Sequence, residues 1–309
     1  MNLEVSRSDI TDAAERVQDH IRRTPVLELG DVFDRGYRLS LKLDHTQPTG
    51  SFKVRGAFSL LTAIDLDGRG VTAASGGNFG IATAYACSRL GHKATIFVPE
   101  TSPPEKIDRI AEHGADVRVI PGYYHQALAE CEEFVQESGE FMAHAYDQAE
   151  VVAGQGTAAL EVSDQIDDMD AIIVAVGGGG LIAGIASWFR DDNVVVAAEP
   201  VRCPSFHAAR ERGGPVRVDV GGVAASSLGA ESIGEHTWHA SRWVDDSLLV
   251  EDEDIVQAQQ WLWANAKLAI EPAAATTLAT LMSGAYTPER GSHVVAMVSG
   301  GNVAPGSVS

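Results

Sequence analysis

Lysine is scarce in this chain: of 309 residues only five are lysine, at Lys42, Lys53, Lys93, Lys106 and Lys267. Basic residues number 23 against 43 acidic ones, a formal net charge of −20. Such a surface repels nucleic acid and anionic lipid, which removes functions that depend on a basic face. Cysteine is almost as rare. Cys87, Cys131 and Cys203 are odd in number, far apart and free of C-x-x-C spacing, which argues against a disulfide framework or a structural zinc site. No apolar run reaches the roughly 20 residues that a membrane-spanning helix needs, and the start, MNLEVSRSDI, lacks the basic and apolar parts of a signal peptide. The expectation is a soluble, cytoplasmic protein with no nucleic-acid or membrane partner. An acidic excess with so little lysine also matches a surface adapted to concentrated salt, where screening relieves self-repulsion.

What is present is apolar and regularly punctuated. With 45% hydrophobic residues the chain can bury one large core or two medium ones. SDITDAAERVQDHI carries Ile10, Ala13, Ala14, Val17 and Ile21 at helical spacing behind a capping serine, Ser8, and predicts an amphipathic helix. Seven β-rich runs follow, at 39–44, 70–75, 93–99, 116–121, 170–176, 193–199 and 293–299, with helix-length stretches such as FGIATAYACSRLG between them. Runs that are apolar throughout and alternate with helices predict parallel sheets covered on both faces, an α/β fold. The tetrapeptide SGGN ends two of these strands, at 75–78 and 299–302. In open parallel sheets the ligand crevice lies beyond the carboxyl ends of the strands, so both loops are candidate site loops that share a chemistry rather than a duplication.

Two further stretches carry chemistry. In GSFKVRGA, residues 50–57, Lys53 stands between Phe52 and Val54 inside a glycine-bounded turn, whereas the other four lysines occupy positions expected at the surface. In AVGGGGLIAG, residues 175–184, four glycines leave a strand and lead into a helix. Glycines let backbone N–H groups turn onto an anion, and the helix N-terminus adds partial positive charge, so a phosphate is expected there. Two cofactors could supply it. Gly178, Gly180 and Ala183 fit G-x-G-x-x-A, and Glu199 ends the next strand, as a dinucleotide site requires, but that reading leaves Lys53 and both SGGN loops without a role. Pyridoxal phosphate uses all four features: an amine for a Schiff base, a polar loop, a phosphate cradle and a late strand-end hydroxyl.

GSFKVRGA, SGGNFGIA, AGQGTAALE, VGGGGLIAG, AIEPAAA and VSGGN occur in the order found in the serine/threonine dehydratase and serine racemase family of fold-type II pyridoxal-phosphate enzymes, and the chain resembles that family along nearly its whole length. The resemblance implies two parallel-sheet α/β domains with the cofactor in the cleft between them: residues 67–147 as the small domain, 1–66 and 148–309 as the large one. It implies that Lys53 holds the cofactor through its amine and then acts as base on the substrate α-carbon. Phe52 would pack near the pyridine ring, Asn78 would bind the 3-oxygen, and Ser299 would face the ring nitrogen. Gly177, Gly178, Gly179 and Gly180 would cradle the phosphate, with Gly222 beside the cofactor. Ser75, Gly76, Gly77, Asn78 and Phe79 would form the loop that grips the substrate carboxylate.

The implied reaction is conversion of L-threonine, L-serine or both to a 2-oxo acid and ammonia, in a homodimer. The alternatives are a serine racemase, a dehydratase of another β-hydroxy amino acid such as hydroxyaspartate, and, further off, a β- or γ-replacement synthase. The chain departs from the family in places. Phe79 and Ile81 stand where histidine and glutamine are common, and Gly76 stands where serine racemases carry a serine that serves the second face of the substrate. Glu199 resembles an acidic residue of the family's divalent-cation site. Its expected acidic companion falls near Ser205, so whether a divalent or monovalent cation binds is left open.

Overall fold

The computed structural model describes residues 3–304. Its ten strands are β1 (Val26–Gly30), β2 (Arg38–Lys42), β3 (Val71–Ala74), β4 (Ala94–Pro99), β5 (Asp116–Ile120), β6 (Phe141–Met142), β7 (Ala171–Ala175), β8 (Val194–Pro200), β9 (Asp246–Val250) and β10 (His293–Met297). They form a six-stranded sheet in the order β1-β2-β10-β7-β8-β9 and a four-stranded sheet in the order β5-β4-β3-β6. Every pairing is parallel except β1 with β2, which is antiparallel. All seven runs read from the sequence are strands. The three it missed, β1, β6 and β9, are sheet edges, half-exposed and therefore without the continuous apolar signature of a strand covered on both faces.

Among the described residues the twelve α-helices, in chain order, are α1 (Arg7–Val17), α2 (Lys53–Ala63), α3 (Asn78–Leu90), α4 (Pro104–Glu112), α5 (Tyr124–Ser138), α6 (Ala149–Gln165), α7 (Gly180–Phe189), α8 (Ser205–Arg212), α9 (Ala225–Leu228), α10 (Glu235–Ala240), α11 (Asp252–Ala266) and α12 (Pro272–Ser283). The first helix is capped by Ser6 rather than Ser8. The Ser6 hydroxyl accepts the Asp9 N–H while the Asp9 carboxylate accepts the Ser6 N–H, a reciprocal capping box that Ser8 has no partner to form. Helix α1 also ends at Val17, so Ile21 lies beyond it.

Apolar side chains fill both faces of the sheets. Phe58, Leu60, Ile81, Ile96 and Ile110 pack one core around the smaller sheet, and Leu39, Ile173, Ile255, Leu278 and Val294 pack another on the larger. AGQGTAALE runs along α6, where Gly156 meets Gly184 of α7 so closely that a Cβ on Gly184 would fall 2.4 Å from the Gly156 nitrogen. Only glycine at that crossing lets the two helices touch.

Beneath α2 lies a buried ionic cluster, and it corrects one expectation: Lys42 is not a surface lysine but has 0% exposure. Its Nζ donates to Glu161 Oε2 at 2.6 Å, Gln165 Oε1 at 2.7 Å and the Thr24 carbonyl at 2.9 Å. Arg55 donates from Nε and Nη2 to Asp44 at 2.8 Å each, and from Nη1 and Nη2 to Glu161 at 2.8 and 2.9 Å. Two cations and two carboxylates balance, so the desolvation that burial imposes on each is met by an opposite charge. This cluster ties α2, which begins at Lys53, to β2 and α6.

Candidate active site

Lys53 is the first residue of α2 and sits where the two sheets' loops meet. The turn before it is zipped to the loop after β10: the Phe52 N–H donates to the Ser299 carbonyl at 3.0 Å and the Gly301 N–H to the Gly50 carbonyl at 2.8 Å. Gly50 has φ +73°, and a Cβ there would lie 2.3 Å from Asn302 Oδ1, so both backbone hand and space require glycine. Among the described residues the Lys53 amine has one hydrogen-bond partner, the Ala145 carbonyl at 2.9 Å. The Phe52 and Phe79 ring centroids are 5.1 and 5.8 Å away. Burial with no carboxylate beside it brings the amine's pKa down from 10.5 to about 8. Phe79, the family departure, is thus a direct neighbour of the amine and keeps that side dry.

The two SGGN loops meet. Asn302, the last residue of the second, donates from Nδ2 to Asn78 Oδ1, the last of the first, at 2.9 Å. Asn78 Nδ2 in turn donates to Glu271 Oε2 at 2.7 Å. Glu271, which precedes α12, also accepts from Lys106 Nζ at 2.7 Å and Ser227 Oγ at 3.1 Å. Lys106 belongs to α4, on the smaller sheet, and is 4% exposed, the second lysine that the sequence misplaced at the surface. A lysine buried this way needs a carboxylate, and Glu271 supplies it across the cleft. Arg109 of α4 reaches Asn302 Oδ1 as well. Sequence reading gave no role to Glu271, Lys106, Arg109 or Asn302, although AIEPAAA and the second SGGN had marked two of them.

Gly177–Gly180 leaves β7 and opens α7, as expected. Gly179 has φ +92°. The backbone N–H groups of Gly177, Gly178, Gly179 and Gly180 find no acceptor among the described residues, a concave set of free donors at a helix N-terminus. Tyr146 lies over the loop; a Cβ on Gly178 would come within 2.3 Å of its ring. Gly177 and Gly178 carbonyls are fixed from behind by Ser205 Oγ at 2.9 Å and by Thr237 Oγ1 at 3.2 Å.

Four other positions complete the picture. The Ser299 side chain, two residues beyond β10, is buried and makes no hydrogen bond among the described residues, while its carbonyl accepts the Phe52 N–H of the turn that holds Lys53. Gly222 has φ +81°, and its Cβ position faces the Asp252 carboxylate; the neighbours found for it belong to α11 rather than to the other site residues. Glu199 is fully buried and its carboxylate accepts the N–H groups of Phe206 and His207 at 2.8 Å each, with Ser205 Oγ at 3.4 Å. It caps α8, and desolvation outweighs those donors, raising its pKa from 4.5 to about 8. Through Ser205 it steadies the glycine loop. His144, near Lys53, accepts the Asp147 N–H on Nδ1 at 3.0 Å, and burial, joined by the Lys53 charge, lowers its pKa.

Residues 17–300 match the family described as pyridoxal-phosphate dependent enzyme. The L-threonine ammonia-lyase of Geobacter sulfurreducens is 34% identical over 301 residues, which cover 95% of this chain and 75% of that protein. Maize serine racemase has a similar structure, with a TM-score of 0.93 and 29% identity over 98% of this chain and 95% of that one. The serine racemase from Dictyostelium discoideum gives a TM-score of 0.90 and 31% identity over 97% and 99% of the respective chains.

Proposed function

The chain belongs to the pyridoxal-phosphate dependent enzymes, and from that premise we propose that it is an ammonia-lyase converting L-threonine, L-serine or both to a 2-oxo acid and ammonia. The observation that carries this reading is the state of Lys53: a partly buried amine, lowered to about 8, with no counter-ion, set among the loops of both sheets. The free N–H groups of Gly177–Gly180 fit a phosphate and the amine fits an aldehyde, so the residues present suit the cofactor. We take residues 67–147 as one domain and 1–66 with 148–309 as the other, with the site in the cleft.

When bound, pyridoxal phosphate supplies an electron sink that acidifies the substrate α-C–H. Lys53 would hold it through its side-chain amine, and that amine, when free and neutral, would take the α-proton. The β-hydroxyl departs with a proton as water, and the enamine left behind hydrolyses to the 2-oxo acid and ammonia. Ser75 and the neighbouring N–H groups would grip the carboxylate, Asn78, fixed by Glu271 and Asn302, would bind the cofactor, and Phe52 would pack beside it. Ser299, a hydroxyl rather than a carboxylate, would offer the ring nitrogen no strong acid partner, which would favour elimination over long-lived carbanion chemistry. Gly76 provides no acid on the second face, which favours elimination over racemisation.

We read the enzyme further as a cytoplasmic homodimer, and its acidic composition supports adaptation to salt; among the described residues no helix is long and apolar enough to cross a membrane. Incubating the purified protein with L-threonine and L-serine tests the assignment. Ammonia and 2-oxo acid in equal amounts are expected. D-serine as the main product would make it a racemase, and turnover only with an added thiol a replacement synthase.

A further inference from the structure

β3 and β4 are parallel neighbours, so the loops that follow them lie side by side at the carboxyl end of the smaller sheet, where a ligand binds. The first is the carboxylate loop, 75–78. The second, 100–103, turns on a bond from the Ser102 N–H to the Pro99 carbonyl at 2.9 Å and points Ser102 at Gly76. A Cβ on Gly76 would fall 1.8 Å from Ser102 Oγ and 2.6 Å from Ser102 Cβ. The Ser102 hydroxyl therefore occupies the volume that a side chain at position 76 would fill. The crowding is local, because a Cβ on Gly77 would meet nothing nearer than the Ser226 carbonyl at 3.6 Å. Ser102 is half-buried, and its hydroxyl has no hydrogen-bond partner among the described residues.

We propose that Ser102 is a specificity-determining residue whose hydroxyl donates a hydrogen bond to the substrate carboxylate, beside the donors of loop 75–78. The inference rests on the assignment of that loop to the carboxylate. The backbone N–H groups of Gly76 and Asn78 find no acceptor among the described residues, and that of Gly77 has only Ser75 Oγ at 3.4 Å. A carboxylate offers about four lone-pair sites, and bonds to an ionised acceptor are the strong ones. Free N–H groups plus one free hydroxyl are a donor set for that acceptor. No acid or base is bonded to Ser102 Oγ, so giving up its proton to carbon would leave an unassisted alkoxide. Its role is binding, not proton transfer.

The experiment uses the cofactor-loaded enzyme. Ser102→Ala is expected to raise KM for L-serine about tenfold or more, as the loss of a bond to a charged group does, with a smaller fall in kcat. The affinity for L-alanine, read from the change in cofactor absorbance, should weaken by the same factor, while that for ethanolamine, which has no carboxylate, should stay unchanged. Gly76→Ser combined with Ser102→Gly, which returns the hydroxyl from the neighbouring loop, should recover the KM that Ser102→Gly alone loses. Unchanged L-alanine affinity in Ser102→Ala would overturn the proposal, as would equal weakening of L-alanine and ethanolamine. D-serine made by the wild type and lost in Ser102→Ala would replace binding with proton transfer. Absence of ammonia from L-serine and L-threonine would instead refute the proposed reaction, and the L-alanine measurement would still read Ser102.

Discussion

Lys42 is fully and Lys53 partly taken out of water by the same part of the fold, one at the end of β2 and the other at the start of α2. Lys42 meets Glu161, Gln165 and a carbonyl, inside a cluster where Asp44 and Arg55 complete the balance of charge. Burial lowers its pKa, and Glu161 pulls it part of the way back. Lys53 meets one carbonyl and two phenyl rings, and nothing offsets its desolvation. The lesson is that burial alone does not mark a reactive lysine. What marks it is burial without a counter-ion, which brings the amine's pKa down to about 8, so that a usable neutral fraction exists near physiological pH to act as nucleophile and base.

Substitution should separate the two most sharply. Lys53→Ala is expected to lower turnover by about 10³-fold or more while the melting temperature holds or rises, because an unpaired buried amine contributes no stability. A large fall in melting temperature with residual activity would reverse the roles assigned here. In the other region, Arg55→Ala should cost about 3–5 kcal/mol in denaturant unfolding, since it strands Asp44 and half of Glu161 without charge partners. A loss below about 1 kcal/mol would mean that the cluster does not act as a unit.

The pH dependence follows from the depressed pKa. In the cofactor-free protein the neutral fraction of Lys53 grows as pH rises through about 8, so the rate of cofactor capture should climb through that pH and level off above it. A midpoint near 10 would show an ordinary lysine. The sign for stability agrees: between about 8 and 10.5 the unfolded chain holds more protons at this site than the folded one, so stability rises with pH there. Glu199 extends the comparison to an acid, buried with backbone donors and no cation. Its pKa is raised to about 8, so its contribution is full below about 4.5 and is lost as pH rises to about 8. Glu199→Gln should flatten that decline in denaturant titrations at pH 5 and pH 8.

Much of this was legible in the sequence because it is local or ordered along the chain. Strands covered on both faces announce themselves, and so do a lysine in GSFK and four glycines after a strand. What was not legible depends on distant parts meeting. Lys106 looks like any lysine on a polar helix until Glu271, far along the chain, comes to it across the cleft. Lys42 looks like a strand-end lysine until α6 delivers Glu161. The two SGGN loops share composition, but only the fold shows Asn78 bonded to Asn302. Glu199 was left open for a simpler reason. An acidic residue at a strand end is compatible with a cation or with a helix N-terminus, and only the fold shows the backbone donors of α8 at its carboxylate. Ser102 carries no motif and is visible only as the neighbour of an absent side chain.

The central claim, that Lys53 alone among the lysines is the reactive amine, is tested most directly by reducing the cofactor-loaded protein with borohydride and mapping the adduct by mass spectrometry. The account predicts loss of the visible absorption band and a single modified peptide containing Lys53. An adduct on Lys42, Lys106 or another lysine, or no adduct after reconstitution with pyridoxal phosphate, would contradict it.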